Sequence, residues 1–128
     1  MAGSNVEIVR DAFAAYERRD FDSLLALCDP EAVVHDPDRT GAVLHGHDAL
    51  LRFWEEWLEN WDEYKVVPTE LKEAGDEIFV ACSQTGRARL SGIEISQDLF
   101  QVFRIRGGRI VEHRVYTERG RALDSMND

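Results

Sequence analysis

At 128 residues the chain has the length of one domain, and its formal net charge of −10 has the wrong sign for gripping nucleic acid or an anionic membrane surface. Hydrophobic residues make up 44% of the sequence and charged residues 31%, an ordinary globular balance with enough apolar material for a real core. No apolar run approaches the roughly 20 residues of a membrane span. The first residues lack the basic and apolar regions of a signal peptide. Cys28 and Cys82 have no C-x-x-C spacing, so a cytoplasmic chain with two buried free thiols is the expectation. The arginines at 87 and 89, and at 104, 106 and 109, sit among acidic neighbours and read as a solvated or interface face.

In chain order, Ser4 or Asn5 caps a first helix whose stripe is Val6, Val9, Phe13 and Tyr16, ending near Arg18-Arg19. Asp20 caps a second helix over 21–28 that turns Leu24, Leu25 and Leu27 inward and stops at Asp29-Pro30. Ala32 to His35 reads as a short strand closed by Asp36-Pro37-Asp38. A polar loop through Gly41 leads to a third helix over 47–61, with Phe53, Trp54, Trp57 and Trp61 on its apolar face and Arg52, Glu55 and Glu59 opposite. Two strands follow, near 64–73 and 77–90, joined at Gly75-Asp76.

A long ribbon then runs from Ile93 to Tyr116 around Gly107-Gly108, a tight-turn signal because both residues there need positive φ. One face of the ribbon carries Ile95, Leu99, Phe103 and Ile105 together with Gln101. Its other face is charged but interrupted by Phe100 and Val102. The tail from Glu118 is expected to form a last helical turn or to fray. Helices followed by a run of strands predict a single α+β domain over 1–128, a curved antiparallel sheet wrapped around the helices as a cone with a pocket inside.

Five fragments carry a family resemblance: Ala-Tyr-Glu-Arg-Arg-Asp-Phe-Asp-Ser-Leu-Leu-Ala-Leu at 15–27, Val-Val-His-Asp-Pro at 33–37, Leu-His-Gly-His-Asp-Ala-Leu at 44–50, Gln-Val-Phe at 101–103 and Gly-Gly-Arg-Ile-Val at 107–111. In this order the chain resembles the SnoaL-like branch of the nuclear transport factor 2-like superfamily, over roughly Val6 to Leu123. That superfamily holds ketosteroid isomerases, polyketide cyclases and non-catalytic members alike, so its fold does not settle chemistry. The resemblance implies a homodimer of back-to-back sheets that would bury Phe100 and Val102, with Arg104 or Arg106 pairing acidic residues at its rim.

The resemblance also puts Asp36, directly before Pro37, at the position of the isomerases' general base. A carboxylate at the mouth of an apolar pocket can take a proton from a carbon acid. Asp before Pro is equally a turn initiator whose side chain caps nearby amides. The isomerases' oxyanion-holding tyrosine and aspartate fall at Ala12 and Gln101, so the steroid oxyanion hole is not reproduced. Gln101 is an ordinary amide donor, and His113, mid-strand and pocket-facing by resemblance, is either an acid–base group or a hydrogen-bonded wall residue.

Tyr16, Phe53, Trp54, Trp57 and Phe103 are core residues that can also line a ligand pocket. His35 should point away from Asp36 by strand alternation. His45-Gly46-His47 looks like a helix entry rather than a metal site, since zinc needs a third ligand. No metal and no cofactor are expected. The readings left open are a cofactor-independent proton-transfer enzyme on a small apolar carbonyl compound with Asp36 as base, a non-catalytic binder of such a molecule, and a dimeric domain with a vestigial cavity.

Overall fold

The computed structural model describes residues 4–126. Its elements are α1 (Asn5–Glu17), α2 (Phe21–Ala26), β1 (Cys28–Asp36), β2 (Ala42–His45), α3 (His47–Glu59), β3 (Trp61–Ala74), β4 (Glu77–Ala88), β5 (Glu94–Arg106), β6 (Arg109–Tyr116) and α4 (Arg119–Ser125). The strands form one six-stranded sheet in the order β2-β1-β6-β5-β4-β3. No described helix is long and apolar enough to cross a membrane.

The architecture is the α+β cone, with one correction to its sheet. β1 pairs with β6 in parallel, so the sheet is mixed rather than antiparallel throughout. A parallel neighbour needs a long crossover, and the chain between β1 and β6 supplies it. Three boundaries also move: α3 stops at Glu59, so Trp61 opens β3 instead of closing the helix. α2 stops at Ala26, and β1 begins at Cys28 and runs through Asp29-Pro30. Proline is tolerated there because the register with β6 is broken between Cys28 and Val33, leaving no ladder bond to lose. The loop after Asp36 turns back as β2, pairing Asp36 with Ala42 and His35 with Val43.

The inner face of the sheet packs Ile78, Val80, Leu99, Phe103 and Ile105 against Val9 and Ala12 of α1 and Leu50, Phe53 and Trp54 of α3. Each fully buried side chain of this size contributes roughly 1.5–3 kcal/mol by leaving water. At the end of α1, Arg19 adopts φ 59°, and its guanidinium donates to the carbonyls of Tyr16, at 2.7 Å, and Tyr64, at 2.9 Å. That clamp ties the helix to β3 and brings the two tyrosines to the same end of the cone.

The outer face corrects the reasoning behind the expected dimer. Phe79 and Val102 are completely buried and Phe100 nearly so, under Ala122, Leu123 and Met126 of the chain's own tail. α4 therefore covers the apolar patch that a second copy was expected to cover. Beside it, Arg104 and Arg114 share Glu77, at 3.0 and 2.6 Å, and both approach Glu112, at 3.6 and 2.8 Å. Arg104 thus pairs within its own chain, and Arg106 does so with Asp76 at 3.3 Å.

Candidate functional site: the pocket inside the cone

Helices and sheet enclose a pocket of about 70 Å³. α1 lends Phe13 and Tyr16 to its wall, α3 lends Phe53, Trp54 and Trp57, and the sheet lends Tyr64, Gln101, Phe103 and His113. All five residues expected to bind a ligand line it, as do Gln101 and His113. Asp36 does not.

Gln101 and His113 meet because β5 and β6 pair Phe103 with His113 and Gln101 with Val115, which makes the two polar residues diagonal neighbours on the inner face. The His113 ring stacks on Phe103, centroids 4.3 Å apart and planes 9° apart. Its Nε2–H donates to Oε1 of Gln101 at 2.5 Å. An amide oxygen only accepts, so the proton sits on Nε2 and Nδ1 keeps its lone pair. The Gln101 amide nitrogen in turn faces Sγ of Cys82 at 3.4 Å. Burial, then the charges of Arg39, Arg114 and His35, push the His113 imidazole down to about 3. Near neutral pH it is an uncharged acceptor and a weak base.

Burial holds the nearby phenols and thiols in their neutral forms. Burial, and after it the neighbouring Tyr64 phenol, pushes Tyr16 far up. Burial also raises Tyr64, whose hydroxyl donates to Oε1 of Gln84 at 2.6 Å. Burial pushes the Cys28 and Cys82 thiols up to about 12, which makes them packing groups rather than nucleophiles.

Asp36 sits at the end of β1, fully buried. Its Oδ1 accepts from Nε of Arg39 at 3.0 Å and its Oδ2 from Oγ1 of Thr40 at 3.0 Å. Its carbonyl accepts the Gly41 amide at 2.8 Å. Both carboxylate oxygens are engaged by its own turn, and Arg39 links Asp36 to the pocket wall. That guanidinium lies over the Trp57 ring, 4.1 Å from its centroid, and lines the pocket. The next acidic residue, Asp38, accepts from the Thr117 amide at 2.8 Å and pairs with Arg121, so the loop is pinned from both sides.

Sequence reasoning missed Arg39 and Tyr64. The signal for Arg39 was present as Asp36-x-x-Arg39, a spacing at which an acid and a base can meet across one turn. Tyr64 carried no signal beyond its place at a strand start.

The remaining histidines point elsewhere. His35 pairs with Glu112 at 3.1 Å, His45 with exposed Glu31 at 3.0 Å, and His47 bonds the Cys28 carbonyl at 3.0 Å. Among the described residues no group of three or more His, Cys, Asp or Glu is placed to hold a metal ion.

A cone of helices and curved sheet around a mostly apolar pocket with a few inward polar groups defines a class of small-molecule pocket proteins. Residues 9–113 match the family model of the SnoaL-like domain, and the chain belongs to that family. No curated protein matches. Among solved structures it is similar to a nuclear transport factor 2-like protein of unknown function from Burkholderia pseudomallei, with 26% identity, a TM-score of 0.82, and 94% of this chain and 95% of that one covered. A Sinorhizobium meliloti protein, for which polyketide cyclase activity has been suggested, shares 29% identity at a TM-score of 0.75, with 89% and 100% covered. IdmH from Streptomyces antibioticus, another suggested polyketide cyclase, shares 19% identity at a TM-score of 0.79, with 98% and 100% covered, and speaks to the fold alone.

Proposed function

We propose that the protein binds a small, largely apolar, oxygen-bearing molecule inside the cone. The observation that carries this reading is the Gln101–His113 pair, set in an aromatic wall with Nδ1 of His113 left as an acceptor. A filled core has no use for a polar pair at that place, whereas a ligand hydroxyl or enol can meet it. Titration with a panel of aromatic ketones, phenols and acids, followed by amide and indole NMR shifts, tests it. Saturable shifts centred on Gln101, Phe103 and His113 are expected. Shifts confined to the outer face, or none with any compound, would refute it.

A second reading is a cofactor-independent proton transfer on an enolisable carbonyl compound, with Asp36 as base, the remaining amide N–H of Gln101 donating to the oxygen, and His113 holding that amide in place. It is favoured by one feature: Asp36 lies a single hydrogen bond behind Arg39, so a ligand that draws Arg39 towards itself uncovers the carboxylate. The suggested activity of the Sinorhizobium relative points the same way. Loss of α-protons from 2-tetralone in deuterated buffer, read by NMR, tests it without a known substrate. Protein-dependent exchange that falls by roughly 10²–10⁴-fold in Asp36→Asn is the expected result for a positioned base. Exchange that survives the substitution would remove Asp36 from the role.

A further inference from the structure

We propose that the ligand of this pocket is an oxyanion, a carboxylate or an ionised enol carried on a flat apolar body, held by the two Nη groups of Arg39 and the indole N–H of Trp57. This rests on the pocket being a ligand site and names the chemistry it would take. Among the described residues Arg39 is the one guanidinium lining the pocket, and its side chain is only 11% exposed. Its well-formed hydrogen bond to protein among the described residues runs through Nε, and the guanidinium also approaches the uncharged Tyr64 hydroxyl. Asp36 thereby fixes the back of the guanidinium and leaves its front edge turned to the cavity. The stack on Trp57 fixes the plane, which leaves a pre-oriented fork of the kind that pairs with a planar anion.

A second observation points to the same place. Nε1 of Trp57 is buried and, although it approaches the Tyr64 hydroxyl, makes no well-formed hydrogen bond, a state that proteins seldom tolerate. Trp61 shares that state but does not line the pocket. The nearby acceptors do not answer the surplus of donors. Asp36 is engaged on both oxygens and the neutral His113 lies on the sheet side, while the Tyr64 hydroxyl, whose own proton goes to Gln84, offers Arg39 and Trp57 one uncharged oxygen between them. Asp36 neutralises Arg39 at a distance, yet the pair is a dipole whose positive end faces the cavity, so an oxygen anion at the Nη edge is favoured locally.

Size narrows the class. A protein cavity of about 150 Å³ takes up benzene, and this one is about 70 Å³. A ring-bearing anion must therefore displace a wall side chain or leave its far end in the mouth.

The test uses matched pairs on the full chain at pH 7: benzoate against benzamide, trans-cinnamate against cinnamamide, and the enolate of 5,5-dimethylcyclohexane-1,3-dione against its neutral methyl enol ether. The readout is the Trp57 indole N–H signal, assigned by its loss in Trp57→Phe, with Kd from the titration. Each anion is expected to bind at least ten-fold tighter than its neutral partner and to move that signal. The carboxylate and dione arms show which oxyanion is preferred. The double variant Asp36→Asn with Arg39→Gln keeps a neutral hydrogen-bonded pair in place of the ion pair and should abolish the preference. Trp57→Phe should weaken each anion several-fold more than its neutral partner.

Neutral ligands that bind as well as their anions would overturn the oxyanion assignment while sparing the pocket. So would an anion preference that survives the double variant. Failure of every compound to bind would overturn both.

Discussion

Replacing Asp36 by Asn separates a turn anchor from an isolated base by stability alone. Asp36 is fully buried, and its carboxylate holds a guanidinium that is itself mostly out of water. Deleting one partner of such a pair costs about 3–5 kcal/mol, because the other charge stays buried without compensation. Asn keeps one acceptor oxygen, so the loss should approach that of a hydrogen bond to a charged group plus residual mismatch, roughly 2–3 kcal/mol. For a domain of this size each kcal/mol moves Tm by about 3–5 °C, so the variant should melt roughly 6–15 °C lower. Urea unfolding should give the same sign with an unchanged m-value. Arg39→Met should also destabilise, and the double variant should lose less than the sum, since neither charge is then stranded. An Asp36→Asn protein as stable as wild type, or more stable, would refute the anchoring role and return Asp36 to the position of an unpaired, functionally strained carboxylate.

His113 should remain neutral down to about pH 3, whereas in the unfolded chain it titrates near 6.5. Between those values the unfolded state binds the extra proton, so stability falls as pH drops through the window, by up to about 1.4 kcal/mol per pH unit, with no contribution above 6.5. Ring NMR should show an Nε2–H imidazole across pH 4–8, and His113→Asn should flatten the stability slope below pH 6; an ordinary titration near 6.5 would contradict its burial. Truncation before Arg119 uncovers Phe79, Phe100 and Val102, so sedimentation should shift to larger species relative to the full chain. An unshifted, equally stable truncation would mean that α4 is not the cover. Chelator treatment should leave Tm unchanged, and a drop of several degrees restored by zinc would show that His45 and His47 ligate metal.

Local pattern in the sequence was enough for most of the elements and their faces, though not for β2, which read as a polar loop. The period-two run of Leu99, Gln101, Phe103 and Ile105, the Gly107-Gly108 turn and the aromatic stripe of α3 each record burial within one element, and burial repeats with the geometry of that element. Gln101 could be placed on the inner face for the same reason, and His113 by the family resemblance. What covers a face, and what a polar side chain meets, depends on residues far along the chain, and no local period records it. Phe100 and Val102 looked like a surface awaiting a second copy because the covering helix is only seven residues long and follows directly on the strands. β1 looked like a short antiparallel piece because its parallel partner, β6, lies at the other end of the chain. Asp36 remained divided between base and turn because its environment is made by Arg39, whose own orientation is set by Trp57 on α3. Tertiary structure decided those points by bringing a loop, a helix and a strand to one place, where burial makes a charge dependent on whichever partner it meets.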